Sequence, residues 1–368
     1  MKILITNHHL GGIAGTEIFT YTIANALRKR EHDVFVYSPY LGEFSKIFGK
    51  SDIPTVSNLG KLDNNFDIAH VHHNVIAYEV RNRYPKLPII LISHDVIPFL
   101  EKPPPTDIGI TKFMAVGEEV RDMLINSGIS QSKIGIFRNP VNEKIFFSKN
   151  PINVKPKKAL VISNYIDHDT ENVVRQACSK LSIDLRFVGA RFEIIPNDQM
   201  PNIIRDVDLV FTLSRGSIES MFCGRIPIII DRWGGDGMVT PENFSALIRD
   251  NFSGRYHQYK YTESELCAEI KKYQQGYGEE LRQMAMDEFS VANQTDKLIK
   301  IYHDCLNAEV VELAEKDKKI IDFLCTSIRR TRHYSQKRAK KEFISEIGGY
   351  RAYKLCKALG KLRKLINI

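Results

Sequence analysis

The sequence has no run of about 18 apolar residues, which removes any expectation of a helix that crosses a bilayer. It also has no CxxC pair. Its six cysteines, at positions 178, 223, 267, 305, 325 and 356, are scattered, so neither a zinc site nor a disulfide framework is expected. They read as the reduced thiols of a cytoplasmic protein. No GxGxxG follows the first predicted strand and no acidic residue closes the second, which argues against a bound dinucleotide cofactor. Fixed-period repeats and low-complexity tracts are absent as well. The opening Met1-Lys-Ile-Leu-Ile-Thr is too short an apolar run for a signal peptide and suits a buried strand.

What is present is a chain of 368 residues with 43% hydrophobic and 26% charged residues, enough for two globular domains and an appendage. The net charge of +8 is unevenly shared. Residues 316–368 carry 16 Lys and Arg against 4 Asp and Glu, a surplus of +12 that leaves the preceding 315 residues at −4. An anionic surface would therefore be met by the C-terminus.

Short β-branched runs alternate with helical patterns. Strands are predicted at 2–6, 33–38, 68–72, 89–93 and 113–116, with a helix over 16–30. Pro- and Lys-rich text near 140–158 reads as a linker. The alternation then restarts with strands at 159–163, 184–189, 209–213 and 226–231 and a helix over 171–181. From Thr262 onward only helices are expected, over 263–273, 279–289 and 292–306. The fold class is α/β: two Rossmann-like parallel-sheet domains, at 1–145 and 150–305, followed by a basic helical tail at 306–368. Ligands of such sheets bind beyond the carboxyl ends of the strands, so the polar residues there are the candidates.

After the first strand, Gly11, Gly12, Gly15 and Thr16 open a helix whose free amides and positive dipole end suit a phosphate. The plainer alternative is a tight turn with Thr16 as N-cap. His70 and His72 share one face of a strand, as a metal pair or, more commonly, as the floor of a polar cleft. No carboxylate or thiol cluster accompanies them, so no metal is expected. His94 ends the next strand, where Asp95 could fix its ring. In the second half, Ser214-Arg215-Gly216-Ser217 ends a strand and starts a helix that carries Glu219. Arg215, Gly216, Ser217 and the helix amides could hold a diphosphate, and Glu219 could accept from ribose hydroxyls. A capped helix with a first-turn glutamate would read the same way.

These motifs, in this order, resemble the GT-B glycosyltransferases, especially the large retaining family 4. Gly11-Gly12…Gly15-Thr16-Glu17 looks like that family's glycine-rich loop. Arg30-Glu31-His32-Asp33-Val34-Phe35-Val36 resembles its "RGHxVxV" segment, and Phe66–His72 its "DvvHah" strand. Arg138-Asn139-Pro140-Val141-Asn142 is similar to the "NGVD" hinge, and Glu219-Ser-Met-Phe-Cys-Gly224 to "EAMAcG". The likeness covers about residues 1–305. It implies a metal-independent, hexosyltransferase-like enzyme with a nucleotide-diphosphate sugar as co-substrate and no other cofactor. The sugar would pass to a hydroxyl of a glycan or lipid-linked acceptor in surface polysaccharide synthesis. His94 would face the transferred sugar with Asp95 in support, and Glu219 would hold the ribose. Two departures stand out. Phe211 occupies the family's usual second glutamate site, eight residues before Glu219, and Ser163-Asn164-Tyr165 lacks the basic diphosphate clamp usual there. A subset of the family reads "GGDGMVTPENF", which matches 234–244 and marks Gly235 and Asp236 as a further anion-binding loop before a Pro-initiated helix.

In the tail, Leu355, Leu359, Leu362 and Ile366 recur at helical spacing among Lys354, Lys357, Lys361, Arg363 and Lys364. A helix of this kind either lies on an anionic membrane, which would make the protein peripheral on the inner face, or docks on the body through its leucines. Nucleic acid is disfavoured as a partner because no recognisable module is present. Two other functions compete on the same scaffold: a sugar-nucleotide epimerase and a non-catalytic binding protein.

Overall fold

The structure is a computed structural model in which residues 1–12, 14–196, 198–309 and 313–335 are described. Residues 1–311 form one compact unit and residues 312–368 a second. In the second unit residues 315–335 are helical, and the leucine-striped segment 350–368 lies outside the described residues. Among the described residues no helix is long and apolar enough to cross a membrane.

The first unit contains two sheets, one in each of two lobes. Strands of the first lobe are β1 (Lys2–Thr6), β2 (His9–Leu10), β3 (Asp33–Tyr37), β4 (Tyr40–Leu41), β5 (Thr55–Val56), β6 (Ile68–His72), β7 (Ile89–Ser93), β8 (Lys112–Ala115) and β9 (Ile134–Ile136). Seven of them make a parallel sheet in the order β5-β3-β1-β6-β7-β8-β9, and β2 pairs with β4 beside it. The second lobe has β10 (Lys158–Ile162), β11 (Asp184–Val188), β12 (Leu209–Thr212), β13 (Ile226–Asp231) and β14 (Gly234–Met238), in the order β11-β10-β12-β13-β14. Only β14 runs antiparallel, joined to β13 by the two-residue hairpin Arg232-Trp233.

The apolar runs explain this layering. All residues of β6, β7, β12 and β13 are buried, as strands covered by helices on both faces require. The direction of winding reverses between β1 and β6 in one sheet and between β10 and β12 in the other. Those two reversals place the crevices into which ligands fit.

Three details differ from the sequence expectation. The segment 234–238 is a sheet-edge strand and not a loop. The helix Val291–Leu306, expected within the second domain, packs instead on the first lobe: Arg30 pairs with Asp296 at 2.9 Å and Tyr302 meets His70 at 2.6 Å. The chain thus crosses between lobes twice, and the crossings are tied together where Val141 pairs with Ser290. The helix that begins the first lobe runs Gly15–Arg28 with Ala14 at its N-cap and no side-chain cap, so Thr16 does not have the expected capping role.

Arg81 anchors the long loop before β8. It is 5% exposed, and its guanidinium donates to the carbonyls of Ile108, Pro85, Leu87 and Gly109 at 2.8–2.9 Å. Burial lowers its pKa to about 10, which leaves it charged at neutral pH. Replacing Arg81 with Met strands several buried carbonyls. Urea unfolding should report a loss of about 3 kcal/mol.

Candidate active site

At the reversal in the first sheet, the ends of β1, β6 and β7 gather a histidine network. The His8 amide donates to His73 Nδ1 at 3.2 Å, which leaves His73 Nε2 to face Glu101 Oε1 at 3.3 Å. The other Glu101 oxygen accepts the His94 amide at 2.7 Å. Burial by itself would raise the Glu101 carboxyl, but the hydrogen bonds from His73 and His94 bring it below its ordinary value. His73 holds φ at +70°, a left-handed turn that aims its ring back across the strand ends.

His94 stacks on His72, with Nε2 2.8 Å from His72 Nδ1, and the Phe19 ring meets it edge-on at 4.7 Å. Burial lowers His94 to about 4 and His70 to about 3, and takes His72 well below 6.5. All three rings are therefore neutral at physiological pH. Asp95 does not orient the His94 ring: its Oδ1 accepts the amides of Val96 and Ile97, at 2.6 and 3.3 Å, and pairs with Arg255 at 3.3 Å. His72 and Asn139 hold the ring in its place. His70 and His72 do share a face, with rings 4.9 Å apart, but Tyr302 takes His70 Nδ1. Among the described residues no group of three or more His, Cys, Asp or Glu is placed to hold a metal ion.

The glycine loop lies beside this network. A Cβ at Gly11 would come within 2.5 Å of the His9 ring, whereas Gly12 and Gly15 have nothing within 4 Å. With no side chain capping the helix Gly15–Arg28, the amides of its first turn remain available to an anion. Thr16 instead donates to Glu17 at 2.9 Å.

In the second lobe the chain leaves β12 at Thr212, and Ser214, with φ at +48°, turns it sharply into the helix Arg215–Phe222. Arg215 Nε donates to Glu219 Oε1 at 2.7 Å, and its Nη1 reaches the Pro140 carbonyl at 3.3 Å. The two predicted residues are thus brought together, one turn apart, with Arg215 extending toward the inter-lobe crossing. Burial raises the Glu219 carboxyl against the pull of Arg215. Ser217 Oγ is buried with no hydrogen-bond partner, and Gly216 is required because a Cβ would come 2.2 Å from Thr212 Oγ1. Phe211 is fully buried in β12 and presents nothing to a ligand.

Gly235 and Asp236 do not form the anion loop expected of them. Gly235 exchanges both backbone hydrogen bonds with Tyr259, at 3.0 and 2.9 Å, in an isolated bridge on the outer side of β14, so its amide is already taken. Asp236 is a buried carboxylate that accepts the His257 amide at 2.6 Å, and a carboxylate there opposes an anion. Neighbouring Asp250 is raised to about 6, first by its own burial and then by the Asp236 charge.

Sequence reasoning missed the cations that join the lobes. Arg255, from the second lobe, grips Glu119 with three contacts of 2.8–3.1 Å and also pairs with Asp95. Arg138 takes Glu118 in a fork at 2.8 and 2.9 Å and donates to the Ile248 carbonyl at 3.0 Å. Arg138 sits in the hinge-like segment that the sequence marks, whereas Arg255 belongs to no motif. Nearby, a cleft of about 1330 Å³ is lined by Gly11, Gly12 and Arg215 together with Phe44, Lys144 and Ile145. Of the predicted site residues it gathers those three. Gly15, Thr16, His94, Asp95, Gly216, Ser217, Glu219, Gly235 and Asp236 lie off its walls.

The neutral histidines carry a pH signature. In the unfolded chain they protonate near 6.5, while folded His94 and His70 resist until about 4 and 3. The unfolded state therefore binds more protons between these limits, so stability is full above pH 6.5 and declines as pH falls toward 4. At about 1.4 kcal/mol per pKa unit, these two histidines together should cost about 6 kcal/mol in urea titrations taken from pH 7 to pH 4. A His94→Asn variant should show a shallower slope.

No protein-family model matches the sequence and no curated protein does. Solved structures do. HepE of Anabaena, crystallised with UDP, aligns over 83% of this chain and 100% of its own at 13% identity, with a TM-score of 0.59. The same protein has been crystallised with UDP-glucose. UDP-GlcNAc 2-epimerase of Neisseria meningitidis, bound to UDP-GlcNAc, aligns over 83% of this chain and 100% of its own at 12% identity and a TM-score of 0.52. The glycotransferase of kitacinnamycin aligns over 82% and 98% at 13% identity and a TM-score of 0.51. At these identities the likeness concerns architecture, and it establishes the two-lobed chain as a GT-B fold.

Proposed function

We propose that the protein is a glycosyltransferase that takes a sugar from a nucleotide-diphosphate donor and gives it to a hydroxyl of a glycan or lipid-linked acceptor. The observation that carries this reading is the position of Arg215. It heads the helix at the reversal of the second sheet and shares the walls of one cleft with Gly11 and Gly12 of the other lobe. Neighbours of the same fold hold UDP and UDP-sugars.

The difficult part of such a reaction is the departure of a diphosphate. Arg215, the amides that open its helix and the uncapped turn at Gly15–Thr16 supply positive potential fixed in advance of the reaction. Binding would move the Arg215 fork from Glu219 to the phosphates and free Glu219 for the ribose hydroxyls. His94, neutral and held by His72, would offer a hydrogen bond to a sugar or acceptor hydroxyl and would not act as a charged acid. The resemblance to a retaining family implies departure and attack on one face of the sugar, with no enzymic nucleophile. Metal independence and a role in surface polysaccharide synthesis at the inner face of a membrane, reached through the basic tail, belong to the same proposal.

A second reading, sugar-nucleotide epimerisation, rests on the likeness of the fold to an epimerase bound to UDP-GlcNAc; it would need acid and base groups facing the sugar. Incubation with UDP-glucose or UDP-GlcNAc, followed by NMR of the sugar, separates the two. A transferase moves the sugar intact to an acceptor, and an epimerase inverts a ring carbon without one. For either activity, calorimetry should find UDP binding weakened at least about tenfold by Arg215→Ala, the worth of a charge-assisted hydrogen bond. An unchanged Kd would remove Arg215 from the site.

A further inference from the structure

The chain has one tryptophan, Trp233, and it sits at the tip of the hairpin between β13 and β14, 66% exposed. Tyr165, after β10, is 65% exposed. Between them lies Arg232, whose guanidinium carbon is 5.0 Å from the Tyr165 ring centre and 4.7 Å from that of Trp233. The Arg232 Nε is buried and has no hydrogen-bond partner, so this cation is held by ring faces.

The arrangement is built in from the backbone. Ser163 Oγ donates to Asp231 Oδ2 at 2.9 Å and accepts the amides of Tyr165 and Ile166 at 3.0 and 2.9 Å. Asp231 Oδ1 accepts the Arg232 amide at 2.7 Å. One buried serine–aspartate pair therefore locks the strand ends that carry Tyr165 and Arg232. The hairpin tip is fixed from the other side by Lys260, whose ammonium donates to the Arg232 carbonyl, and by Gly234 at φ +104°. A Cβ on Gly234 would come within 2.6 Å of the Gln258 carbonyl.

The position is as telling as the construction. β10 and β13 flank β12, so the group stands at the carboxyl ends of the strands on either side of the one that leads into Arg215. Neighbouring strands lie about 5 Å apart, so a ligand whose diphosphate rests on that helix start would meet the group one strand away. Two large rings held apart and open to solvent on their outer faces leave apolar area exposed that stacking would cover.

We propose that Tyr165, Arg232 and Trp233 form a stacking platform for the nucleobase of the donor, with the Trp233 ring as its main face. This rests on the nucleotide-sugar reading of the site and adds residues to it. Stacking accepts any base because every base has a π-face, so the platform contributes affinity and leaves the choice of base to other contacts. Arg232 keeps the rings in place and lends positive charge beside the diphosphate, at the position where the Ser163–Tyr165 segment brings no cation of its own.

The lone tryptophan makes the test direct. UDP and GDP are titrated into the full-length protein, followed by calorimetry and by intrinsic fluorescence. Both nucleotides should quench the emission with the Kd that calorimetry finds, and ribose 5-phosphate, which has no base, should leave it unchanged. Trp233→Ala should raise the Kd for UDP about tenfold and Trp233→Phe should restore most of the affinity. Because the side chain is exposed, neither variant should alter the circular dichroism spectrum. If UDP binds with unchanged fluorescence and with equal affinity in Trp233→Ala, the platform is refuted and the nucleotide-sugar reading survives. If neither nucleotide binds the unaltered protein, that reading falls and the platform falls with it.

Discussion

The inner strands of both sheets are buried on both faces, and this leaves polar chemistry one place to gather. A strand such as Ile89–Ser93 or Ile226–Asp231, covered by helices above and below, cannot display a functional side chain along its length. The carboxyl ends are the exception, because there the chain leaves the sheet and the helix that follows turns its amides toward the gap. Glycines, histidines, Arg215 and the Tyr165–Arg232–Trp233 group all occupy such ends. The need to keep the sheet interiors dry thus determines where a ligand can be met.

The two sets of strand ends differ in electrical character. In the first lobe, desolvation holds His70, His72 and His94 neutral, and the Glu101 charge is satisfied by His73 and a backbone amide. That surface offers hydrogen bonds from neutral rings. In the second lobe and at the junction, Arg215, Arg232 and Arg255 concentrate positive charge, each paired or stacked in a way that a stronger anion could reorganise. A reaction that separates a neutral sugar from an anionic diphosphate matches this division. Arg138 and Arg255 do separate work by tying the lobes together, Arg255 through Glu119 and Asp95 and Arg138 through the Ile248 carbonyl while Glu118 holds its fork.

Much of the architecture was legible in the chain text, because burial on two faces writes itself as unbroken β-branched runs, and glycine or a polar cluster marks each exit. Ile68–His72, Ile89–Ser93 and Ile226–Asp231 have the bounds that their composition suggests. Arg215 and Glu219 were legible as residues of one strand-to-helix exit, but not as an ion pair: the helix begins at Arg215 itself, which sets the two one turn apart and side by side. Gly234–Met238 was not. Its glycines imply a loop, yet they serve an edge strand so closely packed that a Cβ on Gly235 would come within 1.9 Å of the Ile229 carbonyl. Asp95 misled for a similar reason: adjacency in sequence to His94 suggests a partnership that the turn assigns to its own amides and to Arg255.

Sequence by itself determined the layers, the order of strand and helix, and the helix starts from which an anion can be held, because each depends on local periodicity and on conformations available to a few residues. Tertiary structure decided which distant residues face one another. It alone placed Tyr302 against His70, Arg255 against Glu119 and Arg232 between Tyr165 and Trp233. Those pairings arise from the packing of elements tens or hundreds of residues apart, and long-range packing leaves no period in the chain for a reader to find.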